Sequence, residues 1–246
     1  MGRRELKKEL LALLVAGDRK ALAALLQRHP AHLLLGPLFS ALCHPDLMVR
    51  GNAALAFGML VPGMAVNDME AARIVMRRFL WSLNEESGGI GWGAPEAMAA
   101  ILGASPALRR EYLHLFCSYM RGDGPELFQD GNYLELPMLQ RGLLAAVGDL
   151  CRDHGAEMRE QGVGEDLRAY LSSPDHQVVG LAIRVLGYLG EKEAAGEIAA
   201  FLDQPGQVQF FDSGEVRETA VGALAAESLD LLGSAAEANK GEGDGQ

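Results

Sequence analysis

Aromatic side chains make up only 6% of this 246-residue chain. Runs of Val, Ile and Thr are nearly absent. Both shortages count against a core built from strands, which draw on β-branched and aromatic residues. Three cysteines, Cys43, Cys117 and Cys151, are too few and too scattered for a disulfide framework. An odd number of them in helical segments reads as reduced thiols and a cytoplasmic address. Basic charge is also short: 22 Lys and Arg against 33 Asp and Glu give a formal net charge of −11. Nucleic-acid binding needs a basic surface to displace counterions, so no nucleic-acid partner is expected. Finally, no uncharged apolar run approaches the ~18 residues of a membrane-spanning helix. The opening MGRRELKKELLALLVAG starts like a signal peptide, with Arg3 and Arg4 ahead of an apolar run. Glu5, Lys7, Lys8 and Glu9 interrupt it, and Leu10 to Ala16 is too short to span a bilayer. An amphipathic first helix and no membrane contact are expected.

What the chain has is Leu and Ala, both strong helix formers, within a 49% hydrophobic composition. It also repeats. LCHPDLMVRGNAALAFGML, Leu42 to Leu60, aligns with LSSPDHQVVGLAIRVLGYL, Leu171 to Leu189. Leu42, Pro45, Asp46, Val49, Gly51, Ala53, Gly58 and Leu60 match Leu171, Pro174, Asp175, Val178, Gly180, Ala182, Gly187 and Leu189, all at an offset of 129. Three units of roughly 43 residues fit that offset, the length of a two-helix solenoid repeat. The intervening units follow from apolar anchors at Val49, Ile90, Leu139, Val178 and Val216. Four residues on, Ala53, Ala94, Leu143, Ala182 and Ala220 share the anchor's helical face. Nine residues on come Gly58, Ala99, Gly148, Gly187 and Ala225, all small, which lets the next helix approach closely. Each is preceded by an apolar knob: Phe57, Met98, Val147, Leu186 or Leu224.

HPDLMVRGNAALAFGML, SPDHQVVGLAIRVLGYL and the degenerate SGEVRETAVGALA resemble the HEAT-like repeat family, including the bacterial type named after phycobilin lyases. The resemblance covers roughly Leu38 to Leu231 and implies a fold rather than an activity. In such repeats an Asp caps the second helix and an Arg after the anchor joins a polar ladder. Asp46 with Arg50 fits that pattern, and Asp212 or Ser213 with Arg217 is a second candidate. Asp175 keeps the cap, but Val179 stands where the Arg would be, so the ladder is expected to be broken there.

The expected fold is therefore all-α, a right-handed α-α superhelix of about five to six helical pairs, with about twelve helices and no sheet. It occupies residues 1–232 as a single HEAT-like domain, opening on a capping hairpin over 1–30 with Asp18 as an N-cap. The composition of GSAAEANKGEGDGQ, from Gly233 onward, assigns 233–246 to a disordered acidic tail.

Three turns between helices depart from the plain repeat. NEESGGIGWGAPEA, residues 84–97, changes composition without lengthening, while 121–137 and 203–218 are lengthened. Equivalent solenoid turns line up along one edge, so the three are expected to share a ridge. Each stretch carries a net charge of −3, and Trp92, Phe128, Tyr133, Phe210 and Phe211 interleave with the acids. Exposed aromatics rimmed by polar groups are typical of recognition surfaces. Stapling of loops onto their own helices is the plain alternative. Gly88, Gly89, Gly91 and Gly93 permit positive φ and close backbone approach.

Enzymatic chemistry finds little support. GGIGWG matches neither phosphate-loop spacing, and Glu85–Glu86 would repel phosphate. His114 with Cys117, and Cys151 with His154, sit at i, i+3, but some twelve residues of helix, or about 18 Å, would separate the two pairs. No metal, cofactor or catalytic residue is implied. The expected function is a protein-binding scaffold or adaptor that grips a basic or mixed-charge segment of a partner. Asn84, Glu85, Glu86, Asp130, Asp212 and Glu215 would supply polar contacts, and Trp92, Tyr133 and Phe211 apolar ones. By resemblance, a second possibility is a chromophore lyase-like enzyme or its accessory subunit.

Overall fold

The computed structural model describes residues 2–84, 91–124 and 131–241, with side chains as far as residue 233. The described helices are α1 (Arg3–Ala16), α2 (Arg19–Arg28), α3 (Ala31–Leu42), α4 (Leu47–Asn67), α5 (Met69–Leu83), α6 (Ala94–Ala104), α7 (Pro106–Ser118), α8 (Pro137–Glu160), α9 (Val163–Tyr170), α10 (His176–Leu189), α11 (Ala195–Ala199) and α12 (Val221–Gly241). Two strands, β1 (Gln207–Asp212) and β2 (Glu215–Ala220), pair as a hairpin between α11 and α12. The class is all-α, as expected. The chain forms two compact units, one of residues 1–119 with 210–216, the other of 120–209 with 217–246.

In the first unit, short polar residues set where helices begin. The Asp18 carboxylate accepts from the Ala21 N–H at 2.9 Å, Asp46 from Met48 at 2.8 Å and Asp68 from Ala71 at 3.1 Å. Each satisfies a donor that the first helical turn leaves unpaired. Leu6, Leu10 and Leu14 then bury one stripe of α1 at four-residue spacing. At the centre lies α4, packed by α1, α3, α5 and α6. It is the one helix among the described residues that is long and apolar enough to cross a membrane, by length and composition only, and half of its apolar window is buried. Phe57 from α4 meets Phe39 and Phe79 with ring centroids 4.9 and 5.0 Å away, and those two rings are 4.8 Å apart. The small residue that follows Phe57 has the expected role. A Cβ at Gly58 would lie 2.8 Å from the Ala100 carbonyl oxygen, so glycine admits α6 against α4.

The second unit is built around α10, which packs between α8 and α12 and is buried almost continuously from Val178 to Gly187. The same small-residue rule operates twice here. A Cβ at Gly148 would lie 2.8 Å from the Arg184 guanidinium, and one at Gly187 2.7 Å from the Ser228 hydroxyl. Asp175 caps α10, its Oδ1 accepting from the N–H groups of Gln177 at 2.9 Å and Val178 at 3.4 Å.

Two expectations need correction. The anchors Val49, Leu139 and Val178 are buried and Ile90 lies outside the described residues, but Val216 is not a helical anchor at all. It sits in β2. The hairpin turns on Ser213 and Gly214, both with positive φ, which is the two-residue turn whose twist matches that of paired strands. The last helix, α12, runs to Gly241, and residues 242–246 lie outside the described residues. Second, the ladder at Asp175 is not broken. Arg141 of α8 donates its Nε to Asp175 Oδ2 at 2.9 Å, and its Nη2 bonds the same oxygen. The rung is supplied by the preceding helix rather than by position 179.

Candidate binding site

The first turn of α4 carries Arg50 and Gly51, and two aromatic residues distant in sequence converge on that pair. Gly51 lies under the Phe211 ring so closely that a Cβ there would overlap it. The Arg50 guanidinium stands 6.0 Å from the centroid of the Trp92 ring, at the outer limit of a cation–π contact. Both aromatic side chains are half-buried. Each therefore keeps apolar surface in contact with solvent while being held by the fold.

Local geometry explains how they arrive there. Gly93 adopts a left-handed φ of 69° as it opens α6, and a Cβ on it would press 2.9 Å from the Leu42 side chain. Only glycine suits both demands, and the sharp turn presents the preceding Trp92 beside α4. In the hairpin, side chains alternate across the strand, burying Val208 and Phe210 and leaving Gln209 exposed and Phe211 half-buried. Arg50 is itself fixed, because its Nη1 donates to the carbonyls of His44 and Pro45 at 2.8 Å each. It thus braces the turn that precedes α4 rather than pairing with Asp46, whose carboxylate caps the helix.

Polar groups surround the aromatics. Asp212 is half-buried and accepts from the Ser213 hydroxyl at 3.0 Å, and Glu215 is exposed at the other side of the turn. The Arg19 guanidinium lies against Gly214. The site therefore mixes both charge signs with aromatic surface, and Arg19 and Arg50 belong to it, although the sequence patterns marked Arg50 only as a ladder residue and Arg19 not at all.

The remaining expected residues are distributed as follows. Asn84 ends α5, its backbone N–H donating to the Leu80 and Trp81 carbonyls at 3.2 Å each. Burial pushes the Tyr119 hydroxyl up to about 12, against a hydrogen bond from Asn84 that lowers it. Tyr133 belongs to the second unit. It is exposed, its hydroxyl accepts from Gln140 Nε2 at 3.0 Å, and its ring centroid is 5.9 Å from that of Tyr170. Phe210 is buried and so serves the core rather than a surface. Glu85, Glu86, Phe128 and Asp130 lie outside the described residues, as do Gly88 and Gly89. The structure thus places Trp92, Phe211, Asp212 and Glu215 in the first unit, Trp92 beside Arg50 and Phe211 over Gly51.

Sequence reasoning overlooked Trp81, whose side chain is largely exposed on α5. Helical periodicity alone does not tell an exposed Trp from a core one. Of the cysteines, Cys117 and Cys151 are buried and Cys43 is exposed. Among the described residues, no group of three or more His, Cys, Asp or Glu is placed to hold a metal ion.

No protein-family model matches the chain, and no curated protein matches it. Solved structures do resemble it. A designed armadillo repeat protein superposes with a TM-score of 0.50 at 15% identity, over 94% of each chain. An engineered protein superposes with a TM-score of 0.50 at 16% identity, over 95% of this chain and 98% of the other. At such identities the likeness establishes the fold alone: a helical repeat of the armadillo kind. Neither comparison bears on the phycobilin-lyase type.

Proposed function

We propose that this protein is a binding scaffold that grips a mixed-charge segment of a partner protein at the start of α4. The observation that carries this reading is the convergence of Trp92 and Phe211, 119 residues apart in the chain, on the consecutive residues Arg50 and Gly51. Half-buried aromatics on rigid supports lose little entropy on binding and supply most of the energy of a recognition site. Asp212 and Glu215 together with Arg19 and Arg50 favour a partner segment carrying both signs.

Affinity capture from a native cell extract tests this, using the intact protein and a Trp92→Ala, Phe211→Ala variant with unchanged helicity and melting. A partner held by the intact protein, released as salt rises and missing from the variant supports the site, because rim charges act through screened electrostatics. Equal retention by both proteins, insensitive to salt, refutes it.

A further inference from the structure

The outer stripe of α5 is apolar where the fold asks nothing of it. Ala72, Val75, Met76, Phe79 and Leu83 already give the helix a buried face. Yet Ile74 and Trp81, two turns apart on the opposite stripe, are 57% and 70% exposed. Tryptophan rarely stays so exposed without a partner, since burying it yields more apolar area than any other residue. Arg77 lies between them, and Arg78 beside them covers the Phe39 ring with its guanidinium 3.7 Å from the centroid. Across on α7, Arg110 and His114 are exposed. The acids nearby are Glu70, which pairs with Arg73 and Arg77, and Glu111, which pairs with Arg73. Arg73, Arg77, Arg78 and Arg110 therefore outnumber them, and the stripe is apolar with a basic surround.

The second unit carries the opposite combination. In residues 131–138, Tyr133, Leu136 and Met138 are 45%, 49% and 39% exposed, with the exposed Glu135 among them. Asp123 joins this segment by accepting from the Gly131 N–H at 3.1 Å. Leu134 is its buried anchor, and Gln140 holds it in place by donating Nε2 to the Leu134 carbonyl at 2.7 Å and to the Tyr133 hydroxyl. The segment is an apolar surface with an acidic surround, fixed rather than adaptable. Whole-unit charge follows suit: 13 Lys and Arg against 12 Asp and Glu in the first unit, 9 against 21 in the second.

We infer that the chain associates with a second copy of itself head to tail, the α5 stripe of one molecule taking the Tyr133–Met138 segment of the next. Charge complementarity selects this occupant over an uncharged one, and both halves are exposed in the single chain. Because the two surfaces differ, the contact is heterologous and can propagate. It uses none of the residues of the Trp92–Phe211 site, so the two readings stand or fall separately.

Sedimentation velocity from low to high micromolar protein, at low and high salt, is the test. The intact protein is expected to grow in mass with concentration and to shrink as salt rises. Trp81→Ala, and separately Leu136→Ser with Met138→Ser, are each expected to weaken association about tenfold or more. An equimolar mixture of these two variants is expected to stop at a dimer, because each retains the half that the other lacks. Arg77→Glu and Glu135→Arg should each weaken association, and the two together in one chain should restore it, which no folding defect imitates. A monomer at every concentration, variants that associate like the intact protein, or a mixture that stays monomeric would each overturn the inference.

Discussion

The two units hold their polar groups in different ways. In the first, buried or half-buried polar side chains reach backbone carbonyls: Asn52 donates to Leu14, Arg50 to His44 and Pro45, and Arg109 to Leu102. In the second, arginines also meet well-shielded carboxylates, Arg121 with Asp166 and Arg141 with Asp175, whereas the carboxylate pairs of the first unit, Glu70 and Glu111 with Arg73, lie more exposed. The first unit also has a trio of phenylalanines at its centre, whereas α10 buries mainly Val, Leu and Ile. Carbonyls do not titrate and carboxylates do. The more shielded carboxylates therefore make the second unit the one whose stability answers more strongly to pH.

Mutation tests that contrast directly. Phe57→Ala empties the middle of the aromatic trio and is expected to cost about 3–5 kcal/mol. Hydrogen exchange should quicken in α3, α4 and α5 while α8 and α10 keep their protection; equal loss in both units would erase the distinction. Asp175→Ala removes an N-cap and the partner of Arg141, an expected cost of about 2–3 kcal/mol, read as a lower Tm with exchange confined to the second unit.

Acid sharpens the comparison further. Desolvation pulls the Asp175 carboxyl up, but Arg141 and the Gln177 and Val178 amides outweigh it and leave the group below its ordinary value. A lowered folded-state pKa stabilises above the unfolded pKa, and that stabilisation disappears as pH falls through the folded value. Asp175→Asn should therefore melt below the parent at neutral pH, with the gap closing in strong acid. Asp166 has the opposite sign, since its burial outweighs Arg121 and raises its pKa. It should favour the folded state as pH drops and lose that contribution as pH rises through its folded value. A Tm-against-pH series of Asp166→Asn beside Asp175→Asn should show deviations from the parent of opposite slope.

Smaller effects remain. Arg50→Ala frees two turn carbonyls that water reaches in part, an expected loss of about 1 kcal/mol, and it should shift Trp92 emission by removing the nearby charge. Glu70→Gln loses an exposed ion pair and should leave the melting curve unchanged.

Much of the helical framework was legible because its causes are local. Asp18, Asp46 and Asp175 cap helices where spacing placed them, and Gly58, Gly148 and Gly187 admit the neighbouring helix. The hairpin was missed because Val216 and Ala220 satisfy a four-residue rhythm that the surrounding repeats reinforce. The competing signal is short: Val208 and Phe210 alternating inward, then Asp-Ser-Gly-Glu as a tight turn. The site was legible only as a set of candidates. Trp92 and Phe211 belong to different turns, and their placement beside Arg50 and Gly51 is a tertiary fact. Arg141 was invisible for a similar reason, since a rung formed from the preceding helix has no fixed spacing to its Asp.

The membership of residues 210–216 in the first unit has a consequence for how the molecule is made. A chain emerging from the ribosome would have all seven helices of that unit in hand by Ser118, yet the surface at Gly51 would stay bare until the hairpin turn had been synthesised. Closing so long a loop is entropically slow. The unit translated ahead of the other is thus not the first to be finished, and a nascent fragment ending near Tyr119 would present the Gly51 surface without Phe211.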